Sequence, residues 1–126
     1  MTNPNAEPPT PDILVVDDSI DNVDLLARIL HKQGYHVRKL FDGKKVLETI
    51  EQTPPDLILL DIRMPHLDGY ELCRRLKASP NTRDIPVIFL SGLIEVEDKI
   101  LAFEVGGVDY ITKPFQHLEV VARVAK

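Results

Sequence analysis

One cysteine in 126 residues, Cys73, has nothing to pair with inside the chain. An internal disulfide framework is excluded, and a lone thiol fits a reducing cytosol. Its expected place is a small, half-buried position on a helix. Long apolar runs are missing too. No stretch approaches the roughly 18 residues that a membrane span needs. No charged-then-apolar leader opens the sequence, so nothing points to export and the cytoplasm is the expected location. Positive charge is in deficit, with 15 Lys and Arg against 20 Asp and Glu, a formal net charge of −5. A nucleic-acid surface needs a clustered basic face, and this balance argues against one.

What is present is enough apolar residue, 44% of the chain, to build one core, and the length suits a single domain. Residues 1–11, MTNPNAEPPTP, carry four prolines and almost nothing to bury, which reads as a disordered leader ahead of a domain at 12–126. Apolar runs at Ile13–Val16, Val37–Leu40, Leu57–Leu60, Val87–Leu90 and Val108–Ile111 are expected strands. Between them, Val23, Leu26, Ala27 and Leu30 recur at helical spacing and stop at Gly34. Val46, Leu47 and Ile50 suggest a second helix, Leu72 and Leu76 a third. Val96, Ile100 and Phe103 mark a fourth, ended by Gly106-Gly107, and Leu118, Val121, Ala122 and Ala125 a fifth. The last helix reaches Ala125-Lys126 without glycine, proline or cap, and is expected to be cut short. Five βα units imply a parallel sheet covered by helices on both faces, an α/β doubly wound fold. Arg38 and Lys39 interrupt the second run and place it at a sheet edge.

In such a sheet ligands bind beyond the carboxyl ends of the strands. The residues just past those ends are Asp17-Asp18, then Asp61, Ser91 and Thr112-Lys113-Pro114. Three carboxylates on one rim repel one another. A hard divalent cation such as Mg²⁺ relieves that repulsion, and Lys113 adds a second positive charge. Together they would neutralise a phosphoryl group arriving at Asp61, and aspartyl nucleophiles that form acyl phosphates are an established class. Each residue has a bland reading. An Asp after a strand is a favoured helix cap, Ser91-Gly92 alone is a turn, and Lys113 alone is a surface lysine. Their joint occurrence at successive rim positions favours the chemical reading. The histidines His31, His36, His66 and His117 are weak signals, scattered without ligand spacing, so a phosphodonor histidine belongs on a partner; modulation of access by His66, near the rim, is a minor alternative.

The segments ILVVDDS, LILLDIRMPHLDG, VIFLSG and DYITKPF, in this order and spacing, resemble the receiver domain of two-component response regulators. The resemblance spans residues 12 to about 126 and implies a flavodoxin-like fold with strand order 2-1-3-4-5. It implies a phosphorylation-dependent signalling switch, not an enzyme acting on external substrates. Position by position, Asp61 matches the phosphoacceptor, Asp18 the direct Mg²⁺ (or Mn²⁺) ligand and Asp17 the acid that holds the metal through water. The backbone carbonyl of Arg63 matches the third protein ligand. Ser91 matches the switch hydroxyl, Lys113 the phosphate-binding lysine and Tyr110 the switch aromatic. Gly92 stands where a small residue leaves room for the phosphoryl group, and Asp68-Gly69 matches the turn into the third helix. The bond before Pro114 is commonly cis in this family. Implied partners are a sensor histidine kinase or phosphotransfer protein. An output partner or a second receiver would dock on helix four, strand five and helix five. Neither nucleic acid nor membrane is expected to bind this domain.

Two other classes compete. A phosphatase of the haloacid dehalogenase type also places an aspartyl nucleophile after a strand, but usually needs a second aspartate two positions on, where Arg63 stands here. A constitutive interaction module would leave the acid, hydroxyl and lysine set without use. The resemblance further implies that the side chains flanking the approach of a hydrolytic water are Arg63 and Leu93, two positions after Asp61 and Ser91. Neither suits orientation of that water, so a phosphorylated state lasting minutes or longer is expected.

Overall fold

The computed structural model describes residues 10–65, 67–92 and 96–125, with the side chains of Leu67 and residues 96–99 outside the description. His66, Leu93 and residues 1–9 of the expected leader therefore lie outside the described residues. Pro11 already bonds to the fold, its carbonyl accepting from the His36 N–H at 2.9 Å.

Five strands form one parallel sheet: β1 (Asp12–Val16), β2 (His36–Leu40), β3 (Leu57–Asp61), β4 (Val87–Ser91) and β5 (Asp109–Thr112). Their order is 2-1-3-4-5 and every pair is parallel. The helices are α1 (Ile20–Lys32), α2 (Val46–Gln52), α3 (Gly69–Ala78), α4 (Val96–Glu104) and α5 (His117–Ala125). Central strands are covered on both sides, and every residue of β3 is buried. One core joins alternate residues of the sheet, such as Leu14, Ile58, Leu60 and Phe89, to α2, α3 and α4. The opposite residues, among them Ile13, Val15, Leu59 and Leu90, pack on α1 and α5. The sheet thus lies between two helical layers, as the solid apolar strands require.

β2 is an edge strand, as its charged interior predicts. Arg38 pairs with Asp12 at 2.8 Å and Lys39 with Asp24 at 2.9 Å, so each charge on the edge strand meets a partner. The α1 stripe is buried where expected. The helix ends at Gly34, whose φ of +93° only glycine adopts cheaply, with the Gly34 and Tyr35 N–H groups donating to the carbonyls of His31 and Leu30. Cys73 is more buried than expected. It is fully enclosed, with its Sγ–H donating to the Val105 carbonyl at 3.3 Å and burial pushing the thiol pKa up.

One boundary is corrected, and two helices bury other residues than those that marked them. β5 starts at Asp109, and Val108 lies before it, 54% exposed. As the other edge strand, β5 has only one neighbour to bury it. On α4, Ile100 and Phe103 are 53% and 51% exposed, while Ala102 and, just past the helix end, Val105 face the core. On α5, Leu118 is exposed and Val120 is the buried anchor. Apolar spacing identified both helices, but it does not say which apolar residues face the sheet. A short antiparallel ribbon, Arg63–Met64 against Leu67–Asp68, comes after β3 and was not expected.

Candidate functional site

The strand register sets the rim. Val16 pairs with Leu60, Asp61 with Leu90 and Ser91 with Thr112, so Asp17, Asp61, Ser91 and Lys113 emerge at nearly one level. The Asp17 N–H donates to the Leu40 carbonyl and the Lys113 N–H to the Ser91 carbonyl, at 3.2 and 2.7 Å. Main-chain bonds therefore continue the sheet's order into the rim residues. The Lys113-Pro114 bond is cis.

Capping does not account for these acids. The side chain of Ser19 caps α1, accepting from the Asn22 N–H, and that of Asp68 caps α3, accepting from the Tyr70 N–H at 2.9 Å. Asp17 does hold its own turn through Oδ1, which accepts from the Ser19 N–H at 2.9 Å. Its other oxygen is different. Oδ2 is buried and accepts no hydrogen bond among the described residues. The Lys113 ammonium stands 3.0 Å from it as a charge contact, not aligned as a donor.

Carboxylate oxygens of Asp17, Asp18 and Asp61 lie within 4.8 Å of one another; Asp17 and Asp61 are buried and Asp18 is exposed. Lys113 is 3.5 Å from Asp61 Oδ1. One ammonium shared among three acids leaves an excess of negative charge. Asp61 registers it: its pKa is pushed up to about 6, first by burial, then by Asp17 and, more weakly, Asp18. Lys113 and the backbone N–H of Arg63 oppose that rise. Hard, close-set oxygens with one buried atom lacking a hydrogen bond fit a small divalent cation with oxygen preference.

Gly69 contributes what the sequence did not reveal. A Cβ there would lie 2.5 Å from the Asp61 carbonyl oxygen and 2.9 Å from Ile62 Cα, both backbone atoms. Its N–H donates to the Ile62 carbonyl at 2.8 Å. The first turn of α3 thus closes directly on the segment after Asp61 and fixes its path. Only the Asp68-Gly69 motif hinted at this. Gly92 is exposed, and a Cβ there would meet nothing within 4 Å among the described residues. Tyr110 sits inside β5, three residues before Lys113, with Phe103 of α4 and Arg123 of α5 against its ring. Leu93 falls outside the described residues.

A family profile described as response regulator receiver domain matches residues 13–125. The chain belongs to this family, the receiver domains of two-component response regulators. It is 43% identical over 114 residues to the DNA-binding dual master transcriptional regulator RpaA of Synechocystis sp., covering 90% of this chain and 47% of that protein. A probable cyclic di-GMP phosphodiesterase of Vibrio cholerae is 48% identical over 102 residues, 81% of this chain and 23% of that one. The chain thus spans about half or less of the length of these relatives. A putative response regulator from Chloroflexus aurantiacus superposes with a TM-score of 0.87 at 35% identity, covering 92% and 95% of the two chains. Chemotaxis response regulator CheY4 of Vibrio cholerae gives 0.87 at 25% identity, covering 93% and 98%. Membership in this family displaces the haloacid dehalogenase alternative, and among the described residues no helix is long and apolar enough to cross a membrane.

Proposed function

We propose that the domain is a phosphorylation-controlled switch whose phosphoacceptor is Asp61. The carrying observation is a buried carboxylate, raised in pKa, set between two further acids and the Lys113 ammonium. An Asp61 oxygen attacks the phosphorus of a phosphohistidine on a sensor histidine kinase or phosphotransfer protein. The P–N bond breaks, the imidazole leaves with the electron pair, and an acyl phosphate forms. Asp17, Asp18, Asp61 and the carbonyl of Arg63 are the residues that would hold Mg²⁺ or Mn²⁺. When bound, that ion supplies charge neutralisation for the incoming phosphoryl oxygens. Lys113 pairs the remaining charge, and to do so it exchanges carboxylate for phosphoryl partners. Asp61 is largely buried, and Gly92 adds no side chain to the rim.

Ser91 then bonds a phosphoryl oxygen and Tyr110 moves toward the vacated space. The change is read on the face of α4, β5 and α5, where Ile100, Phe103 and Val108 are exposed apolar residues. An output partner or a second receiver is the proposed reader. The named activities of the relatives, DNA binding and phosphodiesterase action, are those of longer proteins. The reading places the domain in the cytoplasm.

Acetyl phosphate with Mg²⁺ tests this. One base-labile phosphoryl group should appear by intact mass, and Asp61→Asn should carry none. Lys113→Ala should still accept phosphate but respond weakly in conformation, because Lys113 pairs charge and does not attack. Equal labelling of Asp61→Asn would remove the assignment.

A further inference from the structure

Tyr110 bridges three elements. Its ring meets Phe103 of α4 edge-on, with centroids 6.4 Å apart and planes at 77°. The guanidinium carbon of Arg123, on α5, lies 5.3 Å from the same ring's centroid. Arg123 is itself held, since its Nη1 donates to Asp109 Oδ1 at 2.9 Å. That same oxygen accepts the backbone N–H of Tyr110, also at 2.9 Å. One carboxylate oxygen therefore fixes both the main chain under the ring and the cation over it. A planar guanidinium suits this double duty, because it can donate from its edge while its face stacks.

We propose that Arg123 is a latch on Tyr110: anchored by Asp109, it holds the ring where it is here and sets the cost of moving it. The inference rests on the proposed function, in which Tyr110 moves when Asp61 is modified. Arg123 touches neither Asp61 nor any acid of the rim in the structure, so it is a positioning residue. Leaving the observed position breaks the cation–ring contact, and that contact opposes the active state by its full worth. By linkage, removing it strengthens whatever at Asp61 favours the moved ring, to the same factor. The competing account is that the Asp109–Arg123 pair only ties α5 to β5, as a surface ion pair does. The two differ in one respect: a tie acts whether or not residue 110 is aromatic.

Beryllium fluoride, which adds to a carboxylate oxygen as a phosphoryl analogue, gives an equilibrium readout with Mg²⁺ present. Its affinity is measured by titration in the wild type, Arg123→Gln, Arg123→Lys, Tyr110→Ala and the Arg123→Gln/Tyr110→Ala double variant. Carbon-13-labelled tyrosine ring signals, assigned with Tyr110→Phe, report the ring in the unmodified domain. Arg123→Gln should shift the Tyr110 signal and tighten beryllium fluoride binding about two- to fivefold, the range for a partly exposed cation–ring contact. Arg123→Lys should retain part of the wild-type behaviour. In the Tyr110→Ala background the gain should vanish. An unmoved Tyr110 signal in Arg123→Gln, or the same gain with and without the ring, would overturn the latch. Failure of the wild type to bind beryllium fluoride would overturn the reading of Asp61 instead, leaving the latch to be decided by the ring signal alone.

Discussion

Asp61→Asn should stabilise the domain when no metal is present, and by an amount that depends on pH. The side chain is buried, and its pKa rises from the ordinary 3.8 to about 6 through burial and the neighbouring acids. A carboxyl group whose folded pKa lies above its unfolded one costs stability when it ionises. Below both values the group is protonated in either state and the cost is absent. It grows as pH rises between about 4 and 6, and is complete above. At about 1.4 kcal/mol per pH unit, the full cost is on the order of 3 kcal/mol near pH 7.5 and most of it is absent near pH 4. Asparagine keeps the shape of the protonated acid and removes the charge. Urea unfolding in the presence of a chelator, monitored by circular dichroism at both pH values, measures the difference. The variant should gain about 3 kcal/mol at pH 7.5 and little at pH 4. A variant no more stable than wild type at pH 7.5, or one gaining equally at both, would refute an excess of negative charge at the rim.

Three further outcomes rest on the same geometry. Mg²⁺ should raise the melting temperature of the unphosphorylated domain by ligand linkage, and Asp18→Ala should abolish most of that rise in a thermal shift series; an undiminished rise would exclude Asp18 as a ligand. Gly69→Ala should destabilise the fold by about 1–3 kcal/mol, because the new methyl meets main-chain atoms that have nowhere to go; denaturation within about 0.5 kcal/mol of wild type would count against the close approach described. The acyl phosphate should last minutes or longer, and Arg63→Asn with Leu93→Glu should shorten it about tenfold, a barrier change of only about 1.4 kcal/mol; decay monitored by intact mass, with a wild-type half-life of seconds or no acceleration, would contradict this.

Much of the molecule was legible because its strands are solid apolar runs with chemistry at their ends. Asp17, Asp18, Asp61, Ser91 and Lys113 could be placed on one rim from the rule that ligands bind beyond the carboxyl ends of strands. The edge position of β2 came from Arg38 and Lys39. What escaped the sequence depends on contacts across the fold. Ile100 and Leu118 look like core residues at helical spacing, and only docking decides that Ala102 and Val120 are the buried ones. Asp109 and Arg123 are 14 positions apart, too far for any local pattern to pair them. Gly69 reads as a turn residue, and its closeness to the Asp61 backbone emerges only once α3 is folded back on the end of β3. The ribbon after β3 is two residues per strand, below the length at which alternation carries a signal.

Cys73 makes the protein its own reporter. The thiol is enclosed between α3 and the end of α4, bonded to the Val105 carbonyl, with its pKa raised by burial. A thiol reagent in solution reacts with thiolate and cannot reach it until that seam opens. The labelling rate at low reagent excess is therefore a clock for the opening of the α3–α4 junction, without any engineered probe. Because α4 belongs to the face proposed to change with phosphorylation, the clock should run at different speeds in the two states. A cysteine introduced on the surface could be labelled first and selectively, leaving Cys73 as a silent second site for the slower measurement.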